Sequence, residues 1–198
     1  MPKPGPGSAR GRDTLADAMA LAAAPIHPLT VEQVDGLVEA GLLEDRRMEL
    51  VDGILFDVVH PNPAHSQTVA QLNRHLSRTL PDNLQLLVED PLFIHDRFLS
   101  PDLFVAPFSD PPVRHREALL AVEVTHTTHR RDRQKVNEYA RAGVPEYWMV
   151  DLVERQIVVH REPVGGVYTN VAQHRGGMLD VPGGGAPLDV AALLRVRS

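Results

Sequence analysis

Two carboxylates in this 198-residue chain stand where a carboxylate is costly. Asp102 follows Pro101 and opens a short apolar run to Ala106, and Glu123 lies inside Leu120-Ala121-Val122-Glu123-Val124. A buried carboxylate must be paired, protonated or bound to a metal. Either acid alone reads as a strand-end residue in a salt bridge. Together, on consecutive strands separated by a loop, they suggest a divalent-cation site built from hard oxygen ligands. Such an ion can hold a phosphate oxygen and lower the pKa of an attacking water. A nearby ammonium would orient that water or offset charge developing on phosphorus. Strand alternation puts Glu123 and Thr125 on one face, with Val124 opposite. A lysine is therefore missing from the place Thr125 holds. The nearest candidate is Lys135, on the next helix, with Tyr139 on its face at i+4.

These residues need a scaffold, and the spacing supplies one. Thr30 followed by Gln33 is a capping box, with Val34, Leu37, Val38 and Leu42 as a helical stripe that ends near Gly41. Met48 to Val59 is broken by Asp52-Gly53, a hairpin signal. A second helix begins near Pro63, with His65, Val69, Leu72, Leu76 and Leu80 on one face, and stops at Pro81-Asp82-Asn83. Strands are expected at Leu84 to Val88 with a continuation through Leu92 to Ile94, at Asp102 to Ala106, and at Leu119 to His126. A helix follows over Asp132 to Ala142, stopped by Gly143. Further strands read at Tyr147 to Val150, Ile157 to His160 and Val167 to Ala172. The Gly/Pro-rich stretch up to Pro187 reads as loop, and Val190 to Leu194 as a last helical turn. A strand-helix-strand step needs a crossover, so part of the sheet is parallel. The fold class is α/β, a sandwich with helices on both faces of a mixed sheet. An N-terminal helix and β-hairpin extend it.

Several runs of residues make a family resemblance specific. They are Arg47-Met48-Glu49-Leu50-Val51-Asp52-Gly53, Pro61-Asn62-Pro63-Ala64-His65, Pro101-Asp102, Val122-Glu123-Val124, and Asp132 through Lys135 with Tyr139 to Asp151. On these the chain resembles the Uma-two family of restriction endonucleases, within the PD-(D/E)XK nuclease superfamily, over roughly Leu29 to His160. The resemblance implies a restriction-endonuclease-like α/β/α sandwich and a magnesium ion, with manganese as a substitute. Asp102, Glu123 and the backbone carbonyl of Val124 would hold that ion. It also implies a catalytic lysine moved from strand to helix, Lys135, and roles near the site for Glu49 and His65. Nucleic acid, with DNA as the expected substrate, becomes the partner, contacted by His65, Tyr139 and Arg131. Cutting both strands of a duplex would favour a two-fold homodimer.

Each assignment has a plainer rival. Glu49 could be a hairpin acid paired with Arg46 or Arg47. His65 could be a hydrogen-bonded core histidine, and Tyr139 core packing with its hydroxyl near the site. Arg130, Arg131, Arg133 and Lys135 are the densest basic cluster, which on charge alone reads as a solvated helix face. The formal net charge of -6 counts against a protein that coats nucleic acid, but not against an enzyme with one basic cleft. A nuclease fold that binds without cutting is the second reading. The ten histidines motivate a third, a His-based metallohydrolase, though His126 and His129 lack the further ligands a zinc hydrolase requires. There is no G-x-S-x-G or Walker lysine motif, and Gly183-Gly184-Gly185 lacks a dinucleotide fingerprint's setting.

Cysteine is absent, which excludes disulfides and thiolate chemistry and suits a reducing cytoplasm. No apolar run approaches the roughly 20 residues a membrane helix requires, so no membrane partner is expected. Met1 to Ala24 reads as a disordered tail, with a short amphipathic helix at Thr14 to Ala24. Residues 25–198 read as a single domain.

Overall fold

The computed structural model describes residues 28–43, 47–57, 62–125 and 130–195, with backbone alone at 130–134. The chain enters along the β-hairpin, where the Leu29 N–H donates to the Gly53 carbonyl at 2.9 Å. Helix α1 (Val31–Glu39) starts on the expected capping box, with Thr30 and Gln33 bonding each other's backbone N–H. Val31 and Val34 are buried, whereas Val38 and Leu42 of the expected stripe face solvent. The buried side chains of this helix thus lie in its first turn.

Strands β1 (Met48–Val51) and β2 (Ile54–Asp57) form the expected hairpin. Asp52 and Gly53 both adopt positive φ, 50° and 73°, as a type I′ turn requires. A Cβ at Gly53 would lie 2.2 Å from Pro28 Cβ, so glycine is needed for packing as well as for conformation. Helix α2 (Pro63–Thr79) is capped by Asn62, whose side chain accepts from the His65 N–H at 2.9 Å.

Strand β3 (Leu84–Val88) does not continue into β4 (Leu92–Ile94), contrary to expectation. Glu89 takes φ 54°, and the chain leaves one sheet for another. Strand β4 turns at His95 into β5 (Arg97–Leu99), which the sequence reading did not anticipate. The two join the hairpin as a four-stranded antiparallel sheet, ordered β2-β1-β5-β4.

The main sheet has six strands in the order β10-β9-β8-β7-β6-β3. They are β6 (Leu103–Pro107), β7 (Leu120–Thr125), β8 (Glu146–Asp151), β9 (Gln156–Val164) and β10 (Val167–His174), with β3 at one edge. Helix α3 (Arg130–Arg141) is the crossover that makes β7 and β8 parallel, and the other pairings are antiparallel. Gly143, with φ 73°, ends that helix. The Gly/Pro-rich stretch is no plain loop. It forms a second hairpin, β11 (Met178–Val181) and β12 (Gly185–Asp189), followed by the helical turn α4 (Val190–Leu193). Leu179, Val181 and Leu188 supply the apolar alternation, bent tightly at Gly183 and Gly184.

Alternation along the central strands divides the core into two layers. One face carries Leu103, Val105, Leu120, Val122 and Trp148 against Val69, Leu72 and Leu76 of α2 and the C-terminal hairpin. The other carries Phe104, Ala121 and Tyr147 against Tyr139 and Ala140 of α3. The result is a mixed α/β sandwich of the restriction-endonuclease-like kind. Among the described residues no helix is long and apolar enough to cross a membrane. The expected tail, Met1 to Ala24, lies outside the described residues.

Candidate active site

Strands β6 and β7 run antiparallel with Leu103 opposite Val122, which sets Asp102 and Glu123 at the same end of neighbouring strands. Asp102 stands one residue before β6, where its carboxylate is not part of the ladder. Its Oδ2 accepts the Val124 N–H at 2.7 Å. His65 Nε2 lies 3.0 Å from the same oxygen. A carboxylate can only accept, so Nε2 is the protonated nitrogen. The other ring nitrogen, Nδ1, is buried with no partner among the described residues. Arg47 donates through Nη2 to Oδ1 at 3.0 Å and to the Ser100 carbonyl, and reaches Glu89 through Nη1 at 3.4 Å. Burial raises the Asp102 pKa, but His65, Val124 and Arg47 together outweigh it and hold the group below its usual range.

Glu123 projects from β7 toward α3. Its Oε1 accepts from Lys135 Nζ at 2.9 Å and from the Tyr139 hydroxyl at 2.8 Å. Lys135 and Tyr139, one helical turn apart, thus converge on one carboxylate oxygen. The same ammonium lies 2.8 Å from Glu49 Oε1 on β1, and Glu49 is only 2% exposed. The Ser100 N–H also approaches Glu49 Oε1, at 3.4 Å. One lysine therefore bridges two carboxylates on different sheets, Glu49 fully buried and Glu123 partly so.

The electrostatics follow. Burial pushes the Glu123 pKa up to about 7; Lys135 opposes this, and the charges of Asp102 and Glu49 add to it. Burial alone would lower Lys135, but Glu123 and Glu49 together raise it well above its ordinary value, so it stays an ammonium. Tyr139 is raised by burial and by the Glu123 charge, which keeps its hydroxyl protonated and donating. Tyr139 also stacks on Tyr147 at 4.9 Å, which locks the ring.

Asp102, Glu123, Lys135, Glu49, His65 and Tyr139 are brought together. Glu49 turns to Lys135, while Arg47, expected only as an alternative partner for Glu49, goes to Asp102. Val124 meets Asp102 through its N–H. The Arg131 side chain, His126 and His129 lie outside what the structure describes. Arg47 and Ser100 are the site residues that sequence reasoning missed. For Arg47 a signal existed: it stands two residues before Glu49, immediately ahead of β1.

The donors suit a hard divalent ion in kind, since carboxylate oxygens and backbone carbonyls are its preferred ligands. Glu123, whose pKa burial pushes up to about 7, is a group whose ionisation an added cation would favour. In the arrangement described, each acid is instead turned onto a cation of the chain. Among the described residues no three acids or histidines converge on one point.

Comparison with known proteins adds family and fold. The chain matches the Uma2 family model, described as "Putative restriction endonuclease", over residues 37–189. No curated protein matches it. A solved structure from Anabaena variabilis, described as "a putative nuclease belonging to DUF820", superposes with a TM-score of 0.66 at 15% identity. The match covers 84% of this chain and 98% of that one. At that identity the likeness shows the fold alone.

Proposed function

The chain belongs to the Uma2 family, and on that footing we propose that it is a metal-dependent nuclease, a DNA endonuclease hydrolysing phosphodiester bonds. The observation that carries this reading is Lys135, whose Nζ lies 2.8 Å from Glu49 and 2.9 Å from Glu123 beside Asp102. It supports the displaced helix lysine as the ammonium that a strand position supplies in related nucleases.

Asp102, Glu123 and the Val124 carbonyl would hold magnesium, or manganese in its place. Once bound, that ion supplies a polarised phosphate oxygen and a water of lowered pKa. The chain's own residues do the rest. Lys135 stays charged and offsets negative charge gathering on the phosphate. Glu49 holds the lysine's other side, so the ammonium is placed before substrate arrives. Tyr139 donates to Glu123 and fixes its rotamer. His65 and Val124 orient Asp102, and Arg131 contacts the nucleic-acid backbone. Residues 25–198 form one nuclease domain, acting in the cytoplasm, with a two-fold pair of chains for cutting a duplex.

The test is cleavage of plasmid and single-stranded DNA by the full chain with magnesium, manganese or EDTA. Product should form only with metal and vanish in Asp102→Ala. Cleavage that ignores EDTA or survives Asp102→Ala would sink the reading. A second reading, a nuclease-fold module that binds without cutting, is favoured by one observation: both Asp102 oxygens already hold partners from the chain. It expects DNA retention with no metal-dependent product.

A further inference from the structure

An ionised carboxylate offers about four lone-pair sites. On Asp102 three are occupied: His65 Nε2 and the Val124 N–H share Oδ2, and Arg47 Nη2 takes one site on Oδ1. The remaining site is on Oδ1, beside a guanidinium. Any cation reaching Asp102 must share that oxygen with Arg47 or displace it.

The way Arg47 is bonded differs from the closed pair elsewhere in the main sheet. Arg161 meets Glu146 with two parallel bonds, Nε to Oε2 and Nη2 to Oε1, both 2.8 Å. Arg47 makes one bond to Asp102 and spreads its other donors over the Ser100 carbonyl and Glu89, which is half-exposed. Its Nε is buried with no partner among the described residues. The bidentate fork that carboxylates favour is thus left open at Asp102. The position of Arg47 is that of a positive charge set against the one lone pair left for a metal.

We propose that Arg47 is the resident counter-ion of Asp102, a positioning residue that neutralises and aims this carboxylate and with which a divalent cation competes. The inference rests on the site reading above. Without Arg47, Asp102 would still be oriented by His65 and Val124 but would lose its own positive partner. Removing the charge should therefore strengthen metal binding at the expense of stability.

The experiment measures binding of manganese alone by titration calorimetry, at fixed pH and low salt, to the full chain and its variants. Arg47→Met keeps an apolar stem without the charge, and should bind manganese on the order of tenfold more tightly. Arg47→Gln keeps a donor for the Ser100 carbonyl and carries the same expectation should Arg47→Met not fold. Arg47→Lys retains the charge and should stay within about threefold of the parent chain. Unchanged or weaker binding in the folded neutral variants overturns the proposal. Asp102→Asn separates the two claims. If it abolishes binding while the neutral Arg47 variants bind as before, only the role of Arg47 fails; if it changes nothing, the site reading fails with it.

Discussion

Strands β7 and β8 each carry a glutamate largely withdrawn from solvent, and the two are solved differently. Glu146, opposite Leu120, accepts both nitrogens of an Arg161 fork and the Trp148 Nε1–H at 2.6 Å. Every donor aimed at it belongs to it alone. Glu123, near the other end, shares Lys135 with Glu49 and stands beside Asp102, so its one strong cation is divided. A closed pair ties β8 to β9 and leaves nothing for a ligand. A shared cation among several carboxylates leaves negative charge in excess, which is a condition for binding something positive. Burial of a carboxylate is common to both; the ratio of partners to acids separates structure from chemistry.

The sharpest way to break this contrast is to neutralise each glutamate. Glu123→Gln and Asp102→Asn should each cut metal-dependent cleavage by ~10³-fold or more. Melting temperature should hold or rise in Glu123→Gln, where burial disfavours the charge, and fall in Asp102→Asn, which loses the charge that His65, Val124 and Arg47 favour. Glu146→Gln should do the reverse of Glu123→Gln, lowering the melting temperature with kcat unchanged in the folded fraction. Equal losses of stability at Glu123 and Glu146 would erase the distinction.

Next in size is the shared cation. Lys135→Ala should slow the chemical step by ~10²-fold with KM little affected, because the charge it offsets develops only in the transition state. Lys135→Arg should rescue poorly, since a planar guanidinium does not fit between two carboxylate oxygens as a compact ammonium does. In the double variant Thr125→Lys with Lys135→Ala, partial recovery in single-turnover assays would show that both positions serve one space. Full activity in Lys135→Ala would return Lys135 to the structural category that Arg161 occupies.

The closed pair has its own measurement. Glu146→Ala leaves the fully buried Trp148 N–H without its acceptor and Arg161 without its fork. Chemical denaturation should report a loss of about 2–4 kcal/mol, with cleavage by the folded protein intact.

Beside that pair, His160 tests the same end of the sheet by pH. It packs beside the stacked Tyr147 and Tyr168 rings, at 5.5 and 5.7 Å, and burial lowers its pKa below the ordinary 6.5. The unfolded chain then takes up the proton at higher pH than the folded protein does. The stability it contributes is intact above 6.5 and is lost as pH falls from there through the lowered folded value. His160→Phe should flatten that part of the stability-pH curve; an identical slope in the variant would show that His160 is not responsible. The smallest expected effect is at the N-terminus, where deleting residues 1–24 should leave melting temperature nearly unchanged. A large drop would mean that this segment packs.

Much of the scaffold was legible in the sequence because its causes are local. The Thr30–Gln33 capping box, the Asp52-Gly53 turn, the helix start at Pro63 and the stop at Gly143 each depend on a few neighbouring residues. Alternation also placed Glu123 correctly on the face opposite Val124, toward the helix that brings Lys135. Periodicity misled where the same pattern fits two outcomes. The run from Leu84 to Ile94 is apolar enough for one strand, yet Glu89 and the following Asp90-Pro91 send it into a second sheet. Glycines between Met178 and Pro187 read as loop, but Leu179, Val181 and Leu188 bury a hairpin over the face of α2.

What only the tertiary structure decided is which charges meet. Nothing near Glu49 in sequence indicates a lysine 86 positions later, and nothing near Arg47 indicates Asp102, 55 positions away. Those pairings arise where the four-stranded sheet docks against β6, β7 and α3, and docking is set by packing summed over both core layers. Local backbone preferences act over one turn or one strand pair, so they can be read from spacing. The partner of a buried charge is chosen by whatever the completed fold carries within about 3 Å of it, and a single sequence does not contain that distance.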